Sequence, residues 1–199
     1  MDALTACGLT QAWAGQSAWT LLDANFQNGR HFLEVWNAWR QDPHRPHMLH
    51  YVGIAATAPI APLAPSCEHS PALPPPSHLQ ALALVLVEQC GGTGHGFRRI
   101  LFEGGQVSLT LCVGETKAML NEQTFHADTV FAAAPNDRWA AQLLARRCKR
   151  GTRLILTNPP DSQTQGLGDA PRHWLADSGF EWSPHGGACA TYNPRWTLR

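Results

Sequence analysis

Three groups of residues have the types and spacing for chemistry. The first is Phe26-Gln27-Asn28-Gly29-Arg30, where a turn with an Asn-Gly signal follows an apolar run and precedes a helical pattern. Such a turn lets backbone approach a ligand closely. The second is His44, His47 and His50, three apart and so suggestive of metal ligation. Pro43 and Pro46 prevent one helix from presenting these rings on a common face, and no Cys or acid sits beside them at ligand spacing, so exposed loop histidines are the favoured reading. The third is the basic cluster Arg146, Arg147, Lys149, Arg150 and Arg153, with Arg138 one helical stretch earlier. It could hold nucleic-acid phosphates. A solvated helix end, whose cations complement the C-terminal dipole, is favoured over that role. Gly92-Thr93-Gly94-His95-Gly96 imitates a phosphate-binding loop, but it precedes a strand and lacks a following helix N-terminus, so it reads as a plain turn.

The elements that must position the first turn follow from hydrophobic pattern. Trp19 to Ala24 is a short apolar run expected to be a buried strand. Phe32, Val35, Trp36 and Trp39 then recur at i, i+3, i+4 and i+7, one apolar helix stripe that ends at Pro43. The two tryptophans on that stripe read as core, not as a base-stacking platform. Leu49 to Ile54 is a second strand, completing a βαβ unit with a right-handed crossover. Ala58 to His78, with Pro74-Pro75-Pro76, is expected to be an extended loop. Leu79 to Glu88 reads as a helix. Phe97–Phe102 and Val107–Val113 flank Gly104-Gly105 as a hairpin or closely paired strands. A short helix at Thr116–Asn121, a strand at Asp128–Ala133, a helix at Trp139–Cys148 and a strand at Arg153–Thr157 follow. A helix at His173–Ser178 and two antiparallel edge strands, Gly179–Trp182 and Ala188–Tyr192, complete the chain. The alternation predicts an α/β fold with a doubly wound, mostly parallel sheet across a single domain, residues 1–199. In such folds ligands bind beyond the carboxyl ends of the strands, where strand order reverses. That places the first turn at the centre of interest.

The run Leu21 to Trp39 resembles the methyltransferase domain of the bifunctional tRNA 5-methylaminomethyl-2-thiouridine biosynthesis proteins, which carry Phe-Gly-x-Gly-x-x-Phe-Leu followed by a Trp-rich helix. Matches continue in order through Leu49-His50-Tyr51-Val52, Gly96-Phe97-Arg98-Arg99, Val107 to Leu111, Gly114-Glu115, Pro135 to Trp139 and Leu175 to Phe180, over roughly residues 9–196. The resemblance implies a Rossmann-like fold of the S-adenosylmethionine-dependent methyltransferase type. It also implies methyl transfer to an aminomethyl group on a tRNA wobble uridine. The family's FAD-dependent oxidoreductase would be supplied by a separate chain. By the same resemblance Phe26 and Gly29 line the cofactor loop, Gly114 and Glu115 lie near the adenine, and Pro135, Asn136 and Trp139 border the substrate side. No catalytic base is assigned.

Three positions depart from the family pattern. Gln27 replaces a glycine, Ala55 replaces the acid that accepts the ribose hydroxyls, and Ala132 replaces an acid on the substrate side. A carboxylate at the last position would assist removal of the amine proton. Two readings therefore stand side by side. One is a methyltransferase, active or weakened, using S-adenosylmethionine. The other is a non-catalytic module of the same fold that binds tRNA or a partner protein, with the cofactor lost. Asn158-Pro159-Pro160-Asp161 resembles the amine-holding motif of other methyltransferases but follows the wrong strand, so a strand ended by proline is favoured.

Composition bounds these readings. Fifteen basic residues balance fifteen acidic ones, which excludes the strongly basic footprint of a dedicated nucleic-acid or anionic-membrane binder. Eight Trp and seven Phe exclude disorder throughout. The N-terminus carries no signal-peptide pattern, no spanning segment is expected, and the six cysteines form no CxxC pair. Free thiols and a cytoplasmic location are the expectation.

Overall fold

The computed structural model describes residues 7–56, 77–90, 94–157, 170–183 and 188–195. The elements are α1 (Leu9–Trp13), β1 (Ala18–Asp23), α2 (Arg30–Gln41), β2 (Met48–Ala55), α3 (Gln80–Cys90), β3 (Gly96–Phe102), β4 (Val107–Val113), α4 (Thr116–Glu122), β5 (Ala127–Ala132), α5 (Arg138–Arg146), β6 (Cys148–Leu156), α6 (Ala170–Asp177), β7 (Phe180–Trp182) and β8 (Cys189–Tyr192). They build one eight-stranded sheet in the order β3-β4-β2-β1-β5-β6-β8-β7. Strands β4, β2, β1, β5 and β6 run parallel, whereas β3 and the β8–β7 pair are antiparallel additions at the two edges. Strand order reverses at β1, which has β2 on one side and β5 on the other. The doubly wound α/β prediction holds in each of these respects.

Both sheet faces are covered, which is why β1 and β2 read as near-continuous apolar runs. One cluster gathers Phe32, Val35, Trp36 and Trp39 of α2 with Leu9 and Trp13 of α1, Leu86 of α3, and Leu21, Leu109 and Phe102 from the strands. The other joins Leu120, Leu144 and Leu175 from α4, α5 and α6 to Leu22, Val130 and Leu154. The α2 stripe read from the sequence is buried as a unit, and both of its tryptophans belong to the core.

Three local expectations need correction. The cysteines are not all free, because Cys7 and Cys189 form a disulfide across 182 positions of sequence, with Cα atoms 6.1 Å apart. Arg153 donates to the carbonyls of Cys7 and Gly8, which holds the N-terminal segment against β6. No spacing rule could reveal this pair, since only folding of the sheet brings β8 beside that segment. Cys90, Cys112 and Cys148 are buried, and Cys67 lies outside the described residues. The helix expected to reach Cys148 stops at Arg146, and Cys148 opens β6. Helix α1, which the sequence pattern did not suggest, closes one sheet face through Leu9 and Trp13. Of the proline-rich stretch, only Ser77 and His78 are described, as the start of a 3-10 turn. Among the described residues, no helix is long and apolar enough to cross a membrane.

Candidate functional site

The carboxyl ends of β2, β1 and β5 stand side by side, with Gly53, Asp23 and Phe131 in register. Backbone bonds lash the exits together. Ala24 N–H donates to Phe131 O at 2.8 Å, Phe26 N–H to Ile54 O at 2.9 Å, and Gly29 N–H to Phe26 O at 2.8 Å. Between β1 and α2 the chain makes a sharp turn in which Gln27 (φ 45°) and Gly29 (φ 77°) are both left-handed. Glycine adopts this conformation at no steric cost, whereas an ordinary side chain is strained there. Gln27 thus adopts a backbone conformation that glycine would take without strain. Its side chain is exposed and points away from the core.

Phe26 has a different place from the one its motif suggests for a lining residue. Its ring is 1% exposed and lies against Gly53, where an added Cβ would come within 2.3 Å of the ring. It meets Tyr51 edge-on with centroids 6.4 Å apart. The side chain packs beneath the turn, against Gly53 and Tyr51. Gly53→Ala is accordingly expected to cost about 1–3 kcal/mol through overpacking. A urea-unfolding midpoint shift without a change in slope would register it.

Asp23 ends β1 and is fully buried. Tyr51 Oη–H donates to its Oδ2 at 2.9 Å, His31 Nδ1 stands 3.3 Å from the same oxygen, and Asn25 N–H donates to Oδ1 at 3.0 Å. The His31 ring, in the first turn of α2, stacks on Phe131 with centroids 5.3 Å apart and planes 6° from parallel. Its side chain is 28% exposed, so part of the imidazole reaches solvent at the β1–β5 seam. Burial alone would lower the His31 pKa. The hydrogen bond and negative charge of Asp23, helped by Glu34, outweigh it, and the net shift is upward. Sequence reasoning gave neither residue a role. The available signal was an acid closing an otherwise apolar strand, eight positions before a histidine in a helix first turn.

The remaining assigned residues occupy the same end of the sheet. Gly114 N–H donates to Ala55 O at 2.9 Å, so the exit of β4 abuts that of β2. Glu115 follows it, exposed, with its carboxylate turned back to cap α4 by accepting from Ala118 N–H at 2.7 Å. Pro135 is buried and Asn136 exposed. Asp137 caps α5 by accepting from Ala140 N–H at 2.6 Å and pairs with Lys117 at 3.3 Å. That cap bond, with Lys117, holds the Asp137 carboxyl below its ordinary range. Lys117 Nζ also lies 4.7 Å from the ring centre of Trp139, which is 41% exposed. Ala55 is buried and offers no side-chain acceptor, and Ala132 closes β5 where an acid was expected.

Other sequence candidates fall elsewhere. Lys149 pairs with Asp128, Arg150 binds Asn193 and Pro194, and Arg138 pairs with Asp177. Lys149 and Arg150 lie at the amino end of β6, opposite to the crevice. A hollow of about 550 Å³ bordered by Ser17, Pro46, His47 and Gln106 opens at that same opposite end. Among the described residues no three His, Cys, Asp or Glu gather as a metal set, and His50 instead meets Ser108 Oγ at 2.9 Å. Asn158 to Asp161 and Gly92-Thr93 lie outside the described residues.

Comparison with known proteins relates the chain as a whole to one group of enzymes. No protein-family model matches the chain. It is 41% identical to the tRNA 5-methylaminomethyl-2-thiouridine biosynthesis bifunctional protein MnmC of Albidiferax ferrireducens, over 97% of this chain and 34% of that protein. The chain spans about a third of the length of the curated relatives it matches. Among solved structures, MNMC2 from Aquifex aeolicus superposes with a TM-score of 0.61 at 17% identity, covering 95% of this chain and 59% of that one. A protein described as a class I S-adenosylmethionine-dependent methyltransferase from Listeria monocytogenes superposes at 0.51 and 12% identity, covering 90% and 51%. The resemblance read from the ordered motifs therefore holds, and the fold is that of the S-adenosylmethionine-dependent methyltransferases.

Proposed function

From a chain related over nearly its whole length to part of the MnmC bifunctional proteins, we propose a single methyltransferase domain. It holds S-adenosylmethionine at the carboxyl end of β1 and moves the methyl group to an aminomethyl nitrogen on a tRNA wobble uridine. The observation that carries this reading is the turn at residues 25–29. It keeps two left-handed residues at the point where strand order reverses, despite the loss of one glycine.

The backbone fits such a cofactor better than the side chains do. The left-handed turn, the N-terminus of α2 and the Phe26–Gly53 packing support a close approach of ligand to main chain. Phe26 and Gly29 would shape the loop that receives the donor, their own N–H groups being bonded to Ile54 O and Phe26 O. Gly114 and Glu115 would border its adenine, with the Glu115 carboxylate already committed to capping α4. When bound, the donor supplies an electrophilic methyl group. The chain's own task is to orient the amine and exclude water. Pro135, Asn136 and Trp139 would border the substrate, and the half-exposed indole beside Lys117 suits a stacked base next to a phosphate. The cytoplasm, where tRNA is modified, is the proposed location.

A tRNA carrying 5-aminomethyl-2-thiouridine, incubated with the chain and isotopically labelled methyl donor, is expected to gain label at the wobble nucleoside. The buried Ala55 and the alanine at 132 favour a second reading, a non-catalytic module that binds tRNA or a partner protein. In that case tRNA associates without gaining label.

The missing ribose acceptor gives a graded test. Ala55→Glu is expected to tighten S-adenosylmethionine binding about tenfold, since a hydrogen bond to a charged acceptor is worth about 1.5–3 kcal/mol. Calorimetry on the two chains reads this directly. An unchanged dissociation constant would mean that the ribose does not reach the end of β2.

A further inference from the structure

We propose that His31, oriented by Asp23, is the proton acceptor for the amine that takes the methyl group, a role that rests on the methyl-transfer reading above. The geometry has three parts. Asp23 is immobilised by Tyr51 and by the Asn25 backbone, so its Oδ2 is a fixed anchor for His31 Nδ1. The ring is clamped flat on Phe131, which stands beside Asp23 in the adjacent strand. With Nδ1 directed at the carboxylate, Nε2 is the nitrogen left to accept a proton, and the side chain is partly open at the β1–β5 seam. This is the carboxylate–imidazole arrangement in which an acid fixes tautomer and orientation while the far nitrogen takes the proton. Ala132, one residue beyond Phe131, carries no acid, and the nearby Glu115 and Asp137 carboxylates accept from the first turns of their helices, so among the described residues the dyad is the arrangement with a nitrogen left to take the proton.

The step balances without an additional reactant. The amine nitrogen forms its bond to the methyl carbon as the carbon–sulfur bond breaks, and its proton passes to His31 Nε2. The positive charge that was on sulfur ends on an imidazolium facing Asp23, and a neutral thioether departs. The charged groups facing the ring are Asp23 from β1 and Glu34 and Arg30 from its own helix. Tyr51 from β2 reaches Asp23, and Phe131 from β5 carries no charge.

Two measurements test the assignment. In the chain without donor or tRNA, nitrogen-15 NMR of the histidines is expected to show neutral His31 protonated on Nδ1. Its titration midpoint should lie above 6.5. Neutral His31 protonated on Nε2 would overturn the role, because that nitrogen could not accept. In single-turnover methyl transfer, His31→Gln is expected to be about 10²–10³-fold slower at pH 7.5. Its thermal midpoint, read at pH 8.5 where the pair's pH-dependent stabilisation is lost, should stay near wild type, and donor affinity should stay within threefold. The wild-type rate should rise with pH to a plateau above the His31 midpoint, and the variant should lose that rise. A His31→Gln chain within threefold of the wild-type rate, with an unchanged pH profile, overturns the proposal and leaves the methyl-transfer reading standing. A wild-type chain that transfers no methyl overturns both.

Discussion

Trp39→Ala is expected to lower the free energy of unfolding by about 3–5 kcal/mol, the usual range for deleting a fully buried large aromatic. The indole is 1% exposed, its Nε1–H donates to Pro46 O at 2.8 Å, and the Arg45 guanidinium lies 4.3 Å over its ring. Truncation opens a cavity beneath α2 and strands the Pro46 carbonyl at the loop that leads into β2. Because α2 carries both the turn and His31 at its N-terminus, donor affinity should fall together with stability. Urea unfolding monitored by circular dichroism gives the first quantity and calorimetry the second. A stability loss under 1 kcal/mol would contradict the placement of Trp39 in the core.

Asp23→Ala should cost about 3 kcal/mol, because it removes hydrogen bonds to a charged acceptor and leaves the Tyr51 hydroxyl buried without its partner. Part of that loss depends on pH. The folded-state pKa of His31 is raised above 6.5, against burial, by the bond to Asp23 and its charge. The stability contributed by the pair is therefore fully present below pH 6.5 and is lost as pH rises through the folded-state value. The gap between wild type and Asp23→Ala should be wider at pH 5.5 than at pH 8.5. Denaturation series at the two pH values measure it, and a gap that widens toward alkaline pH would contradict the assigned pairing.

The parts of the fold legible in the sequence were those written as local periodicity. The spacing of Phe32, Val35, Trp36 and Trp39 fits a one-sided helix, and alternation around Gly104-Gly105 fits a hairpin or paired strands, which the antiparallel β3–β4 register bears out. What the sequence did not disclose depends on contacts between distant segments. Cys7 meets Cys189 only after β8 inserts beside β6. The Asp23–His31 pair joins a strand end to a helix start, and its eight-residue spacing hints at proximity without fixing the direction of either side chain. The family motif marked the turn at Phe26 and Gly29, yet it could not show that the Phe26 ring faces down onto Gly53. Likewise Gly114-Glu115 kept an acid at the family position, while the structure turns that carboxylate toward the α4 backbone. Strand order, set by the βαβ crossovers, was enough to locate the crevice before any side chain was placed.

The central claim is that the turn between β1 and α2 still cradles a sulfonium nucleoside. Calorimetric titration of S-adenosylmethionine into the purified chain tests it most directly. One saturable site with a dissociation constant below about 1 mM, or roughly −4 kcal/mol, is the expected result. Absence of any binding heat at millimolar donor, supported by an unchanged thermal midpoint, would contradict it.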